Sequence, residues 1–118
     1  MAERRLRILI VEDEMLVAMN IEDMLLELGH EVAGLASRLG PALALAGESR
    51  FDAAMLDVNL DGEPSFPVAD LLARRGIPFL FATGYGRQGI DGRYRDFPML
   101  QKPFRTVELG AALAGLLP

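Results

Sequence analysis

The chain has 118 residues, enough for one domain with its own core and short of what two would need. Apolar residues make up 51% and charged ones 25%, an ordinary globular composition, while 17 acids against 12 bases leave a formal charge of −5. That balance speaks against a polyanionic partner; with no cysteine and a single histidine, His30, disulfides, thiolate chemistry and two-histidine metal sites are excluded.

The amino terminus, MAERRLRILIVEDE, meets acids too soon to contain the apolar stretch of a signal peptide, and no run approaches a membrane span. A cytoplasmic location is expected. Leu6 and Ile8–Val11 predict a first, buried strand. The segment MLVAMNIEDMLLELG predicts a helix on Leu16, Met19, Met24, Leu25 and Leu28, with Met15, Met19 and Met24 as packing groups, ended by Gly29. His30 then takes a surface or cap position before a short second strand near 31–35. SRLGPALALAG predicts a second helix with Pro41 in its first turn. Ala53–Leu56 forms a third strand ending in Asp57, followed by a polar loop, NLDGEP, and a third helix over Phe66–Arg75.

Ile77–Ala82 predicts a fourth strand ending in Thr83, with Pro78 suited to its beginning. The stretch GYGRQGIDGRYRD carries glycines at 84, 86, 89 and 92, each costing about 1 kcal/mol in a helix interior, so a loop with at most a short helix is expected. A fifth strand near Phe97–Leu100 leads through QKPF to a last helix over Val107–Leu117. Five alternations of strand and helix predict an α/β fold: a doubly wound, five-stranded parallel sheet with helices on both faces, as a single domain over 1–118.

In such sheets the carboxyl ends of the strands converge on one rim, where ligands bind. Glu12 and Asp13 follow the first strand, Asp57 ends the third, Thr83 the fourth, and Lys102 follows the fifth. A lone acid at a strand end is usually a solvated residue. Three on one rim repel one another unless a cation sits among them. Oxygen donors of this kind suit a hard divalent ion such as Mg²⁺. A carboxylate beside such an ion can attack phosphorus, while the ion and a lysine neutralise the phosphoryl oxygens and a threonine hydroxyl donates to one of them.

The stretches ILIVEDE, AAMLDVNL, FATGYG and QKPF, in that order and covering essentially the whole chain, resemble the receiver domain of two-component response regulators. The resemblance implies a (βα)5 flavodoxin-like fold and Asp57 as phosphate acceptor. Asp13 is then the direct Mg²⁺ ligand, Glu12 acts mostly through water, and Asn59 offers its main-chain carbonyl, with Mn²⁺ able to substitute. Thr83 is the switch hydroxyl and Lys102 the phosphate-pairing lysine, followed by Pro103, which the family often joins by a cis bond. Tyr85, Met99, Pro103 and Phe104 form the expected switch or partner surface. Met99 stands where the family usually has a switch tyrosine or phenylalanine, and Tyr85 is the candidate substitute.

FATGYG further resembles a receiver subgroup found largely in alphaproteobacteria, with an irregular fourth helix and histidine kinases of the HWE or a related type as partners. The expected protein is a stand-alone receiver, a monomer or weak dimer. It takes a phosphoryl group from a histidine kinase or phosphotransfer protein and signals through a downstream protein. It is no conventional enzyme, but it catalyses its own Mg²⁺-dependent phosphorylation and dephosphorylation. The alternative, motivated by Met99, is an interaction module of the same fold that works without phosphorylation.

Overall fold

The computed structural model describes residues 5–84, 90 and 92–116. Five strands, β1 (Arg7–Val11), β2 (Glu31–Ala36), β3 (Ala53–Asp57), β6 (Phe79–Thr83) and β7 (Met99–Gln101), form one sheet in the order β2-β1-β3-β6-β7. All four pairings in it are parallel. The remaining strands, β4 (Asn59–Leu60) and β5 (Glu63–Pro64), form a separate antiparallel hairpin. Among the described residues, four helices, α1 (Met15–Glu27), α2 (Leu39–Glu48), α3 (Phe66–Arg75) and α4 (Thr106–Leu116), complete the main elements, with a short 3₁₀ turn at Gly92–Tyr94.

The central strands are apolar throughout because both of their faces are covered. Leu9, Val11, Ala54, Leu56, Phe79 and Phe81 point to one side, where Ala42 and Ala46 of α2 and Val68, Ala69 and Leu72 of α3 meet them. The alternate residues Ile8, Ile10, Ala53, Met55 and Leu80 point to the other, against Ile21 and Leu25 of α1 and Leu109 and Leu113 of α4. Successive strand residues thus feed two separate cores, as the two-residue period of a strand requires. The chain reverses direction across the sheet between β1 and β3, where β1 pairs with β2 on one side and β3 on the other. That switch point opens a crevice at the carboxyl ends of these strands.

The predicted five-stranded parallel sheet is present, with helix bounds within a residue or two of expectation for α2, α3 and α4. Gly29, at φ 85°, follows the last turn of α1 as expected. His30 accepts the Leu6 main-chain N–H at its Nδ1 (3.1 Å), which ties the start of β1 to the α1–β2 connection. Two expectations are corrected. NLDGEP is a β-hairpin, not a featureless loop. In α1, Met15, Leu16 and Met19 face solvent, Leu16 with 81% of its surface exposed, while Ala18, Ile21 and Leu25 are buried. Apolar residues occur on both sides of this helix, so periodicity alone left its rotation about its axis undetermined.

In the glycine-rich segment, Ile90 and Tyr94 are buried and the one regular feature described is the 3₁₀ turn. Tyr94 packs its ring against Phe66, Phe79, Phe81 and Phe97. Its hydroxyl donates to Asp70 on α3, which also pairs with Arg93 at 3.3 Å. No described helix is long and apolar enough to cross a membrane.

Candidate functional site

The site is built where β1, β3, β6 and β7 end. Asp57 closes β3 and pairs in register with Ala82, one residue before Thr83. Glu12 and Asp13 follow β1, and the Glu12 main-chain N–H is fixed to Ala36 O at 3.0 Å. Lys102 follows β7, its main-chain N–H donating to Thr83 O at 2.8 Å. The ladder therefore sets the heights of all four groups. One carboxylate oxygen from each of Glu12, Asp13 and Asp57 lies within 4.8 Å of the others. They adjoin a cleft of about 370 Å³ lined by Asp13, Glu14, Asp57, Asn59, Gly84 and Lys102.

Glu12 has a side chain only 1% exposed, and both its oxygens are engaged. Oε1 accepts Lys102 Nζ at 2.6 Å and Oε2 accepts the Glu14 main-chain N–H at 3.1 Å. Lys102 also reaches Asp57 Oδ2 at 3.4 Å, so the ammonium bridges the two acids but sits closer to Glu12. Asp13 Oδ2 accepts the main-chain N–H of Asp61 at 3.0 Å. Asn59 lines the cleft with its side-chain Oδ1 already bound by the Gly62 N–H at 2.7 Å. Thr83 is buried at the head of the cleft-forming strand ends.

Crowding has electrostatic consequences. Burial, and then the charge of Glu12, push the Asp57 carboxyl up to about 7, with Lys102 opposing. For Asp13 burial also acts upward, but the Asp61 N–H and hydrogen bonding with Asp57 and Glu12 outweigh it and hold the group below its usual value. Burial alone would lower Lys102; its hydrogen bond to Glu12 and the charges of Asp57 and Glu12 raise it instead. A cluster of hard oxygen donors in which one acid resists ionisation is suited to a divalent cation, whose charge relieves the repulsion. With Glu12 occupied on both oxygens, Asp13 and Asp57 have the atoms left to ligate it directly.

The other sequence-predicted residues fall outside this cluster. Met99 packs with the core on the α2–α3 side of the sheet, Phe104 with the core on the α1–α4 side. Pro103 is exposed and its bond from Lys102 is cis. Tyr85 lies outside the described residues. Glu14 and Asp61 contribute through main-chain N–H groups, a role that their side chains in the sequence do not display; the Asp61-Gly62 dipeptide, a strong hairpin signal, is the clue to the second.

No protein-family model matches the chain. Phyllosphere-induced regulator PhyR of Methylorubrum extorquens is 35% identical over 121 residues, covering 98% of this chain and 45% of that protein. The solution structure of SdrG from Sphingomonas melonis Fr1 is 48% identical and superposes with a TM-score of 0.88, covering 99% of this chain and 100% of that one. The chain belongs to the receiver family of two-component response regulators. A second solution structure, of the BeF3-activated conformation of SdrG from Pseudomonas melonis Fr1, is 49% identical at a TM-score of 0.82, covering 95% and 96% of the two chains. The receiver spans about half the length of the curated relatives it matches. This membership and the cluster of Glu12, Asp13 and Asp57 beside Lys102 support a phosphoacceptor receiver function.

Proposed function

We propose that Asp57 is the phosphoacceptor and that Glu12, Asp13, Asn59, Thr83 and Lys102 serve its reaction. An Asp57 oxygen attacks phosphorus, the bond from phosphorus to the donor's imidazole nitrogen breaks, and the electron pair stays on that nitrogen, which then takes a proton. The product is an acyl phosphate on Asp57. Asp13, the Asp57 carboxylate and the Asn59 main-chain carbonyl would hold Mg²⁺, with Glu12 reaching it through water and Mn²⁺ able to substitute. When bound, the ion neutralises charge on the phosphoryl oxygens.

The chain's own residues do the rest. Glu12 keeps Lys102 beside Asp57 before transfer, so the ammonium has only to shift its hydrogen bond from a carboxylate to a phosphoryl oxygen. Thr83 donates its hydroxyl to another of those oxygens. The observation that carries the reading is the placement of Lys102 between Glu12 and an Asp57 side chain that is only 12% exposed yet opens on the cleft. The BeF3-activated conformation of SdrG lends support from a relative.

The donor is a histidine kinase, of the HWE or a related type, or a histidine phosphotransfer protein. Output passes through a downstream protein that reads the changed surface around Met99, Pro103, Phe104 and Tyr85. The single receiver domain, its monomeric or weakly dimeric state and its cytoplasmic location belong to the same reading. The test is ¹⁵N NMR with beryllium fluoride and Mg²⁺: amide shifts at Asp57, Thr83, Gly84 and Lys102 in the wild type and none in Asp57→Asn. Equal shifts in the two proteins would refute the assignment.

A further inference from the structure

The hairpin behind Asp13 is a turn of two residues, Asp61 and Gly62, between β4 and β5. Their φ angles are 52° and 89°, positive at both central positions, as a type I′ turn requires. Asp61 is the one non-glycine residue among those described with a positive φ. In this conformation its main-chain N–H points out of the hairpin and donates to Asp13 Oδ2 at 3.0 Å. From within the hairpin, Asn59 Oδ1 accepts the Gly62 N–H at 2.7 Å and closes the turn. Arg38, just before α2, pairs with the Asp61 carboxylate at 3.2 Å, but both side chains are exposed and such pairs hold little.

A carboxylate free to rotate presents either oxygen in many directions. One whose Oδ2 is fixed by a main-chain donor presents Oδ1 in one. We propose that Asp61 is a positioning residue of the divalent-ion site: the type I′ turn aims its N–H at Asp13, leaving a single preset ligand oxygen, so the hairpin sets the affinity of the receiver for its ion. The inference rests on Asp13 being an ion ligand, as given under Proposed function. It assigns to Asp61 a role carried by its backbone and not by its charge.

The surroundings of Gly62 make this testable, because a Cβ built there meets no atom within 4 Å. A β-carbon at 62 therefore clashes with nothing, and a substitution there acts on the turn through its backbone preference. Valine strongly resists positive φ, alanine resists it less, and asparagine tolerates it. The experiment is ¹H–¹⁵N NMR on the full chain, first in EDTA and then with added Mg²⁺, for the wild type and for Gly62→Val, Gly62→Ala, Gly62→Asn, Arg38→Ala and Asp13→Ala.

In EDTA the Asp61 amide proton should resonate downfield in the wild type and move upfield in Asp13→Ala and Gly62→Val. Mg²⁺ affinity should fall about tenfold in Gly62→Val and less in Gly62→Ala, while Gly62→Asn and Arg38→Ala stay within about twofold of the wild type. Gly62→Ala keeps the test available if Gly62→Val does not fold. An Asp61 amide proton indifferent to Asp13→Ala overturns the proposal. So does unchanged Mg²⁺ affinity in both Gly62→Val and Gly62→Ala while Asp13→Ala is weakened. If Asp13→Ala binds Mg²⁺ as tightly as the wild type, Asp13 is no ligand, and that reading falls together with the inference.

Discussion

As the proposed acceptor, Asp57 faces two conflicting demands: it must be buried enough to exclude water yet ionised enough to attack. Without a cation the first prevails, and burial with the charge of Glu12 holds the carboxyl near 7. At pH values between about 4 and about 7 the folded protein then keeps a proton that the unfolded chain, with its ordinary aspartate, has released. Stability from this group is therefore lost as pH rises from about 4 to about 7. In EDTA, Asp57→Asn should be more stable than the wild type by about 2 kcal/mol at pH 8 in urea unfolding, and the gap should close as pH falls toward about 4. Lys102 gives a prediction of opposite sign. Removing it leaves Glu12 buried without its cation, so Lys102→Ala should lose about 2 kcal/mol, partly recovered by adding Glu12→Gln. The acids and the lysine were legible in the sequence because strand ends locate them. That Glu12 spends both oxygens within the protein was not, since this depends on a main-chain N–H two residues away and on a side chain 90 residues away.

Among the elements, the glycine content of the stretch after β6 argues against a long helix, yet nothing in its composition marks Tyr94 as a core residue. Tyr94 fills the space between Phe66, Phe79, Phe81 and Phe97, and its hydroxyl is anchored to Asp70 on α3. An aromatic between arginines reads as solvent-facing; only the tertiary gap beside two phenylalanines of β6 makes it internal. Tyr94→Phe should cost about 1 kcal/mol, the worth of one hydrogen bond, and Tyr94→Ala about 3 kcal/mol through the cavity left behind, both read from chemical denaturation. The same contrast holds for the 59–64 hairpin. Its local signal, Asp-Gly, was present, but a hairpin of two-residue strands lacks the alternating apolar flanks that normally announce one. Helix α3 was read to its exact ends because its start, with Pro67 in the first turn, and its stop at Gly76 are both local.

For the whole molecule, the alternation of apolar strands and amphipathic helices was enough to specify the sheet, since covered parallel strands have few other solutions. Strand order then brings Asp13 and Asp57 to the switch point between β1 and β3 and Lys102 to the neighbouring rim. Because an ion bound there stabilises only the folded state, millimolar Mg²⁺ should raise the melting temperature of the wild type at pH 8, and Asp13→Ala should abolish the rise, as followed by circular dichroism. The most direct test of Asp57 as acceptor is intact-mass spectrometry after incubation with acetyl phosphate, with and without Mg²⁺, on the wild type and Asp57→Asn. The predicted result is a Mg²⁺-dependent gain of about 80 Da, confined to the wild type. No gain in the wild type, or an equal gain in Asp57→Asn, would contradict it.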